Sequence, residues 1–135
     1  MEHEILTGRI IGAAMQVHRV LGPGFLEKVY VNALAHELRK RGIAFERKIW
    51  LRVFYDDEIV GDYETDLLVE SRVVVECKAT RALVESNEAQ LINCLAAIRQ
   101  DVGLLLNFGT DRLQFKRRTR AYVPRPSPQE SPRIR

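Results

Sequence analysis

The chain has 135 residues, 46% apolar and 29% charged, which fits one soluble globular domain and excludes collagen-like, low-complexity and disordered chains. It has no apolar run near the ~20 residues of a membrane span, no signal-peptide pattern, and too few cysteines for a disulfide framework or a zinc site, so we expect a cytoplasmic protein. The net charge of +3 is uneven, because residues 111–135 carry eight Lys and Arg against two Asp and Glu, whereas residues 1–110 carry 13 against 16.

Two helices are predicted at the start of the chain. Apolar residues recur every three or four positions over residues 4–21, and the Gly-Pro-Gly segment at 22–24 ends that helix because proline cannot continue it. A second helix is predicted over residues 25–41, with basic residues at its negative C-terminal end and Gly42 as its cap.

Alternating apolar residues then predict strands over residues 43–55, 59–69 and 73–78. Ser86 or Asn87 is suited to cap a third helix that reaches about residue 100. The predicted buried stripe of this helix consists of Leu91, Ile92, Leu95 and Ile98.

The last part of the chain predicts two more strands and a tail. The apolar run at residues 102–108 is typical of a strand covered on both faces, and residues 112–122 predict a strand with one polar face. Four of the five prolines lie in residues 123–135, which predicts a disordered tail after a single domain over residues 1–122. The order α-α-β-β-β-α-β-β indicates an α/β (mixed α+β) fold with a mixed central sheet flanked by helices.

The third predicted strand carries chemically active side chains on one face. Glu76 and Lys78 alternate with apolar residues that point to the other face. If a three-residue turn at residues 70–72 joins this strand to the previous one, Asp66 lies opposite Glu76 at about 5 Å. Two carboxylates at that distance repel each other unless a cation lies between them, and Mg²⁺ typically binds one or two carboxylates together with water and substrate phosphate.

These residues match the requirements of a phosphodiesterase centre. A metal ion there would polarise the phosphoryl oxygen and hold the attacking water, while Lys78 would orient that water or stabilise the developing negative charge. The spacing Asp-x9-Glu-x-Lys is a loose pattern, however, and on spacing alone a surface salt-bridge cluster is its more frequent explanation.

Two helical residues are further candidates. Glu27 falls inside the apolar arc of the second helix, where a bare carboxylate is costly, and a functional and a purely structural role are equally open for it. Gln90 shares one stripe of the third helix with Asn87 and Cys94. Its amide suits a hydrogen bond to a phosphate or to a catalytic water, and a solvated helix flank is the alternative.

An ordered series of motifs resembles one known family. The motifs are Gly24-Phe25-Leu26-Glu27-Lys28-Val29-Tyr30, Asp66-Leu67-Leu68-Val69, Val75-Glu76-Cys77-Lys78-Ala79, Glu88-Ala89-Gln90-Leu91 and Gly103-Leu104-Leu105-Leu106-Asn107-Phe108-Gly109. Over residues 5–122 the chain resembles the GxxExxY protein family, a small branch of the PD-(D/E)xK nuclease superfamily.

The resemblance implies a restriction-endonuclease-like core and a metal-dependent nuclease that hydrolyses phosphodiester bonds of DNA. It implies that Asp66, Glu76 and the backbone carbonyl of Cys77 bind Mg²⁺ or Mn²⁺, and that Lys78 is the catalytic lysine. Glu27 resembles an additional helix acid, and a further metal ligand, of exonuclease branches related to RecB.

The resemblance also implies roles for the remaining motif residues. Gln90 resembles the glutamine that follows the core in the RecB-type branches and completes the catalytic set. Gly24 and Tyr30 belong to the Gly-x-x-Glu-x-x-Tyr motif, and Tyr30 would either hydrogen-bond Glu27 or simply pack.

The basic last strand provides the expected nucleic-acid contacts. These are Lys116, Arg117, Arg118 and Arg120. The expected partner is DNA rather than RNA, no membrane is involved, and a homodimer is left open. The alternative function is a catalytically weak module of the same fold that binds nucleic acid or a protein partner; Asn87 and Cys94, where family members often have His and Tyr, favour it.

Overall fold

The computed structural model of the protein describes residues 2–119 and 133–134. Within them it has helices α1 Glu2–Leu21, α2 Glu27–Lys40 and α3 Glu85–Ile98 and strands β1 Phe45–Tyr55, β2 Glu58–Val69, β3 Val73–Lys78, β4 Val102–Asn107, β5 Gln114–Thr119 and β6 Arg133–Ile134. The predicted order of the first eight elements is confirmed. Residues 120–132 and 135 of the predicted last strand and tail lie outside the described residues, and β6 belongs to that tail.

All the described strands form one mixed sheet in the order β5-β4-β3-β2-β1-β6. The β3–β4 pair is parallel, with α3 as the crossover, and the other neighbours are antiparallel. Val69 pairs with Val73, so the three-residue turn at 70–72 is confirmed. This topology gives β3 and β4 a neighbouring strand on each side, and both are buried almost throughout.

Helices cover both faces of the central strands. On one face, α1 and α2 pack against Val75 and Leu104, and on the other, α3 packs against Val74 and Leu105. Successive residues of β3 therefore point into different apolar layers, as period-two alternation requires. Among the described residues, no helix is both long and apolar enough to cross a membrane.

The start of α3 differs from its prediction. The helix begins at Glu85, and Asn87 lies inside its first turn, where its Oδ1 accepts the N–H of Val84 at 2.9 Å. Asn87 thus caps the helix by reaching back to the preceding residue rather than by starting it. Ile92 of the predicted buried stripe is 36% exposed, and Cys94 is buried together with Leu91, Leu95 and Ile98.

Candidate active site

Asp66 and Glu76 lie where the pairing of β2 with β3 ends. The backbone ladder stops at Leu67 and Val75, and these two acids are the next residues of the same register. Beyond the ladder, Oδ2 of Asp66 accepts the backbone N–H of Cys77 at 2.7 Å. The carboxylate therefore ties the two strands together at the point where their backbones no longer do so.

Glu76 is a buried carboxylate with an unsatisfied oxygen. It is 7% exposed, and its Oε1 has no hydrogen-bond partner in the described part of the chain. Burial, followed by the negative charge of Asp66, raises the pKa of Glu76 to about 8, although the charge of Lys78 opposes the shift. A proton or a cation is therefore needed to compensate this carboxylate.

Opposing effects act on the pKa of Asp66. Burial raises the pKa of Asp66, whereas the Cys77 N–H and the charge of Lys78 lower it. The N–H and C=O of one extended residue point to the same side of a strand, so the carbonyl of Cys77 also faces β2. Two carboxylates and one carbonyl oxygen thus converge on this end of β3.

Strand β4 holds Lys78 beside the acids. Lys78 is the last residue of β3, pairs with Asn107 and accepts the N–H of Phe108 through its carbonyl at 2.8 Å. Since Glu76 and Lys78 are two residues apart on an extended strand, their side chains share a face. The predicted acid–lysine arrangement lies at the end of β3, where Glu76 is buried and Asp66 and Lys78 are half-buried, rather than on an exposed sheet face.

Asn107 fixes the chain segment that follows Lys78, and the sequence patterns gave it no role. Its Oδ1 accepts the N–H groups of Thr80 and Gly109 at 3.0 and 3.1 Å, and its Nδ2 donates to the carbonyl of Thr80 at 3.0 Å and to Oε1 of Gln114 at 2.9 Å. The two loops approach so closely that a Cβ on Gly109 would lie 2.3 Å from the Thr80 oxygen. In the sequence, Asn107 could be recognised as a polar residue at the end of an apolar run.

Glu27 approaches the acids from the first residue of α2. Partial burial raises the pKa of Glu27, the charge of Lys78 lowers it, and that of Asp66 raises it. The residue is exposed rather than enclosed by the apolar stripe, because it lies where α2 extends past the core. Glu27 therefore lies at the rim of the acid cluster.

Tyr30 holds the loop that leads into α2 and does not contact Glu27 through its hydroxyl. The hydroxyl donates to the carbonyl of Gly22 at 2.5 Å and accepts the N–H of Phe25 at 3.1 Å, while the ring stacks on Phe108 with centroids 4.7 Å apart. Gly24 has a φ of 114°, a conformation suited to glycine. The Gly-x-x-Glu-x-x-Tyr motif thus forms a braced turn that sets the first residue of α2.

Helix α3 places Cys94 close to Glu76. Cys94 is 2% exposed, and its burial, followed by the charge of Glu76, raises its pKa to about 12. Gln90, one helical turn before Cys94, is exposed, and its predicted role in the site stays a prediction.

The basic residues of β5 form internal contacts. Nε and Nη2 of Arg118 both donate to Oε1 of Glu88, the former at 2.8 Å, and Nη1 of Arg117 lies 3.8 Å from Oε1 of Glu4. Lys116 is exposed. Arg120 lies outside the described residues.

Two side chains near the acids, Tyr63 and Arg47, were not indicated by any pattern in the sequence. Burial, followed by the charge of Glu76, raises the pKa of Tyr63. The charge of Arg47, from β1, lowers the pKa of Asp66. Both residues come from the β1–β2 hairpin, whose twist is not visible in residue spacing.

The donor set fits magnesium better than zinc. Across the described residues, no group of three or more His, Cys, Asp or Glu side chains is arranged to hold a metal ion. Structural and catalytic zinc sites need three or four such ligands, whereas Mg²⁺ uses one or two carboxylates and keeps several waters. The carboxylates of Asp66 and Glu76, the latter with its unpaired oxygen, meet that smaller requirement together with the Cys77 carbonyl.

Comparison with solved structures supports the predicted fold. The crystal structure of SSO0001 matches with a TM-score of 0.59 and 16% sequence identity, covering 72% of this chain and 52% of that one. The chain thus spans about half the length of that structure, and at this identity the likeness shows the fold alone. It agrees with the predicted restriction-endonuclease-like architecture. No curated protein matches the chain.

Comparison with protein families gives the broader assignment. A sequence model described as the PD-(D/E)XK nuclease superfamily matches residues 4–119. The narrower GxxExxY and RecB-type assignments stay predictions, as does the homodimer. The match covers nearly all of the described residues and includes both acids and the lysine, and the chain belongs to the PD-(D/E)XK nuclease superfamily.

Proposed function

We propose that the protein is a metal-dependent nuclease that hydrolyses phosphodiester bonds of DNA. The observation that carries this proposal is the convergence of Asp66, Glu76 and Lys78 at the end of β3, with one buried Glu76 oxygen unpaired. Membership of a nuclease superfamily supports the reaction class. A purely structural role does not explain why three charged groups gather at the end of an otherwise buried strand.

The acids are the proposed metal ligands. Asp66, Glu76 and the carbonyl of Cys77 would hold Mg²⁺ or Mn²⁺, with Glu27 at the rim as a further ligand. When bound there, the ion would supply positive charge that polarises a phosphoryl oxygen and lowers the pKa of water. Glu76 would lose its proton on binding, because the ion offsets the repulsion that raises its pKa.

Lys78 is the proposed catalytic cation. Its ammonium group lies on the same face of β3 as Glu76, so it is placed to donate to a phosphoryl oxygen as negative charge develops. Asn107 and Phe108 keep the end of β3 in place and thereby limit the movement of this lysine. A positioned donor of this kind is more effective than a mobile one because it needs no reorganisation during the reaction.

Substrate contacts are proposed on two other elements. Gln90, exposed on α3, would bind a phosphate of the substrate. The proposed backbone contacts on the basic segment are Lys116, Arg117, Arg118 and Arg120. DNA remains the proposed substrate, with RNA as an outcome for the assay below.

A catalytically weak binding module is the second candidate. It is favoured by the absence of a third clustered ligand side chain among the described residues. Calorimetric titration with Mn²⁺ separates the two functions. A binding signal that disappears in Asp66→Ala supports the nuclease, and no signal in the wild type supports the module.

Cleavage assays test the proposed function directly. Linear duplex, circular duplex, single-stranded DNA and RNA would each be incubated with Mg²⁺, Mn²⁺ or EDTA. Asp66→Ala and Lys78→Ala would be compared with Asp57→Ala and Lys40→Ala, which remove the same charges in the β1–β2 turn and at the far end of α2. Metal-dependent cleavage lost only in the first two variants is expected, and cleavage that survives in them would contradict the proposal.

A further inference from the structure

Strand β1 interrupts its pairing with β2 directly opposite Asp66. The register pairs Arg47 and Ile49 with β2 but omits Lys48, the residue between them, and by that register Lys48 faces Asp66. Lys48 has a φ of 56°, a left-handed conformation that residues with a side chain rarely adopt. A backbone irregularity thus lies one strand away from a proposed metal ligand.

Two basic residues of β1 lie at this interruption. Arg47 and Lys48 are both exposed, and β1 neighbours β2 on the side away from β3. Adjacent strands are about 4.8 Å apart, so the backbone of Lys48 lies about one strand spacing from the Asp66 backbone. Lys78 lies on the other side, because it belongs to β3.

Arg47 is held in a defined position. Its Nη2 donates to Oδ1 of Asn32 on α2 at 2.6 Å. A guanidinium has five N–H donors, and this contact uses one of them. The influence of Arg47 on the pKa of Asp66 agrees with their proximity. The guanidinium is therefore held by α2, near enough for its charge to act on Asp66, with donors left to offer to a ligand.

We propose that Arg47 and Lys48 bind the phosphate next to the one that is cleaved. This inference rests on the proposed function, because it takes the scissile phosphate to lie over Asp66 and Glu76. Successive phosphates of one nucleic-acid strand are several ångströms apart, which is comparable with the step from β2 to β1. The planar fork of Arg47 suits bidentate phosphate binding, and Lys48 adds a point charge.

Binding and cleavage would be measured separately. Binding is followed by fluorescence anisotropy of a 5′-labelled DNA oligonucleotide, single-stranded or duplex, in EDTA over a series of salt concentrations. The variants are Arg47→Gln, Lys48→Gln, their combination, and Asn32→Ala, which releases Arg47 without removing its charge. Lys40→Gln is the matched control, because its side chain is 61% exposed at the other end of α2.

The expected result is a smaller salt dependence of binding. Each lost phosphate contact lowers the slope of log K against log salt by about 0.7–0.9, and the double variant loses about twice that. In cleavage, KM rises while kcat changes little, since these residues bind the substrate away from the reacting bond. Arg47→Lys retains the charge and should retain most of the slope, and Asn32→Ala should raise KM.

The outcomes separate this inference from the proposed function. Wild-type cleavage with the double variant equal to Lys40→Gln in affinity and slope would overturn the inference alone. Wild-type binding without cleavage on any substrate would overturn the proposed function, and the slopes would still decide the inference. A wild-type protein that binds no oligonucleotide would overturn the inference. Circular dichroism of each variant excludes loss of folding as the cause.

Discussion

The carboxylate of Asp66 accepts the backbone N–H of Cys77 at 2.7 Å, so a side chain on β2 continues the contact with β3 after the backbone ladder has ended. The hydrogen bond restrains the Asp66 carboxylate at the point where the two strands stop pairing. Oδ2 of Asp66 thereby has a structural role, and the proposed role in metal binding falls to Oδ1.

Two substitutions of Asp66 distinguish its structural role from its proposed role in metal binding. Asp66→Ala leaves the N–H of the fully buried Cys77 without its acceptor, which costs about 1–3 kcal/mol of unfolding free energy. Asp66→Asn retains an oxygen acceptor and should unfold near the wild-type urea concentration. Both variants should lose cleavage by about 10²–10⁴-fold, as is typical for the loss of a positioned catalytic group. An Asn variant that keeps wild-type activity would contradict the metal-ligand role.

The buried Glu76 predicts an unusual dependence of stability on pH. Its pKa is near 4.5 in the unfolded chain and about 8 in the folded protein. Between these values the folded state binds more protons than the unfolded state, so stability falls as pH rises. The shift corresponds to at most about 4–5 kcal/mol. Metal-free protein should therefore lose about 2–4 kcal/mol between pH 5 and pH 9 in urea titrations.

Glu76→Gln is the control for this pH dependence. The amide does not titrate, so the variant should show a flatter profile and exceed the wild type in stability at pH 9 without metal. Added Mg²⁺ should raise wild-type stability most at high pH, because binding replaces the proton that Glu76 otherwise retains. Equal slopes for wild type and variant would show that Glu76 does not control the effect.

The acid pair was predictable from sequence, whereas its surroundings were not. Period-two alternation and a three-residue turn fix the register that brings Asp66 to Glu76, because pairing in an antiparallel hairpin is set by the turn. Tyr63 and Arg47 reach the acids through the twist of a long hairpin, which residue spacing does not encode.

Other differences between the predictions and the structure also arise from tertiary contacts. Arg118 resembles a free basic residue in the sequence, yet its partner Glu88 lies 30 positions away on α3. Ile92 satisfies the helical period but lies at the edge of the stripe that α3 presents to the sheet. The order of elements, in contrast, depends on local patterns and was predicted in full over residues 2–119.

Tyr30→Phe tests the braced turn before α2. The substitution removes the bonds to Gly22 and Phe25 but keeps the stacking on Phe108. We expect a loss of about 0.5–1.5 kcal/mol per hydrogen bond and a fall in cleavage rate, because Glu27 would no longer be held at the rim. Tyr55→Phe, whose ring is 72% exposed, should change neither. Normal cleavage by a destabilised Tyr30→Phe would limit Tyr30 to a structural role.

Asn107→Ala tests the support behind Lys78. Asn107 is fully buried and makes four hydrogen bonds, so the variant leaves backbone groups of Thr80 and Gly109 without this partner. We expect a loss of about 1–3 kcal/mol in urea unfolding, because the buried Asn107 loses its bonds while the exposed Thr80 can bond to water instead. Gln114→Ala removes one of the four bonds and should cost less than half as much. Equal effects of the two variants would show that the Thr80 contacts contribute little.

Charge removal on β5 tests the proposed nucleic-acid contacts. Lys116 is exposed, whereas Arg118 is already held by Glu88, so Arg118 must give up an ion pair before it binds a phosphate. Lys116→Gln should therefore lower the salt slope of DNA binding more than Arg118→Gln. Arg118→Gln should instead cost about 0.5–1 kcal/mol of stability, a small value because the pair is partly exposed to solvent. A double-mutant cycle with Glu88→Gln measures that coupling, and a larger salt effect from Arg118 than from Lys116 would show that the ion pair opens when DNA binds.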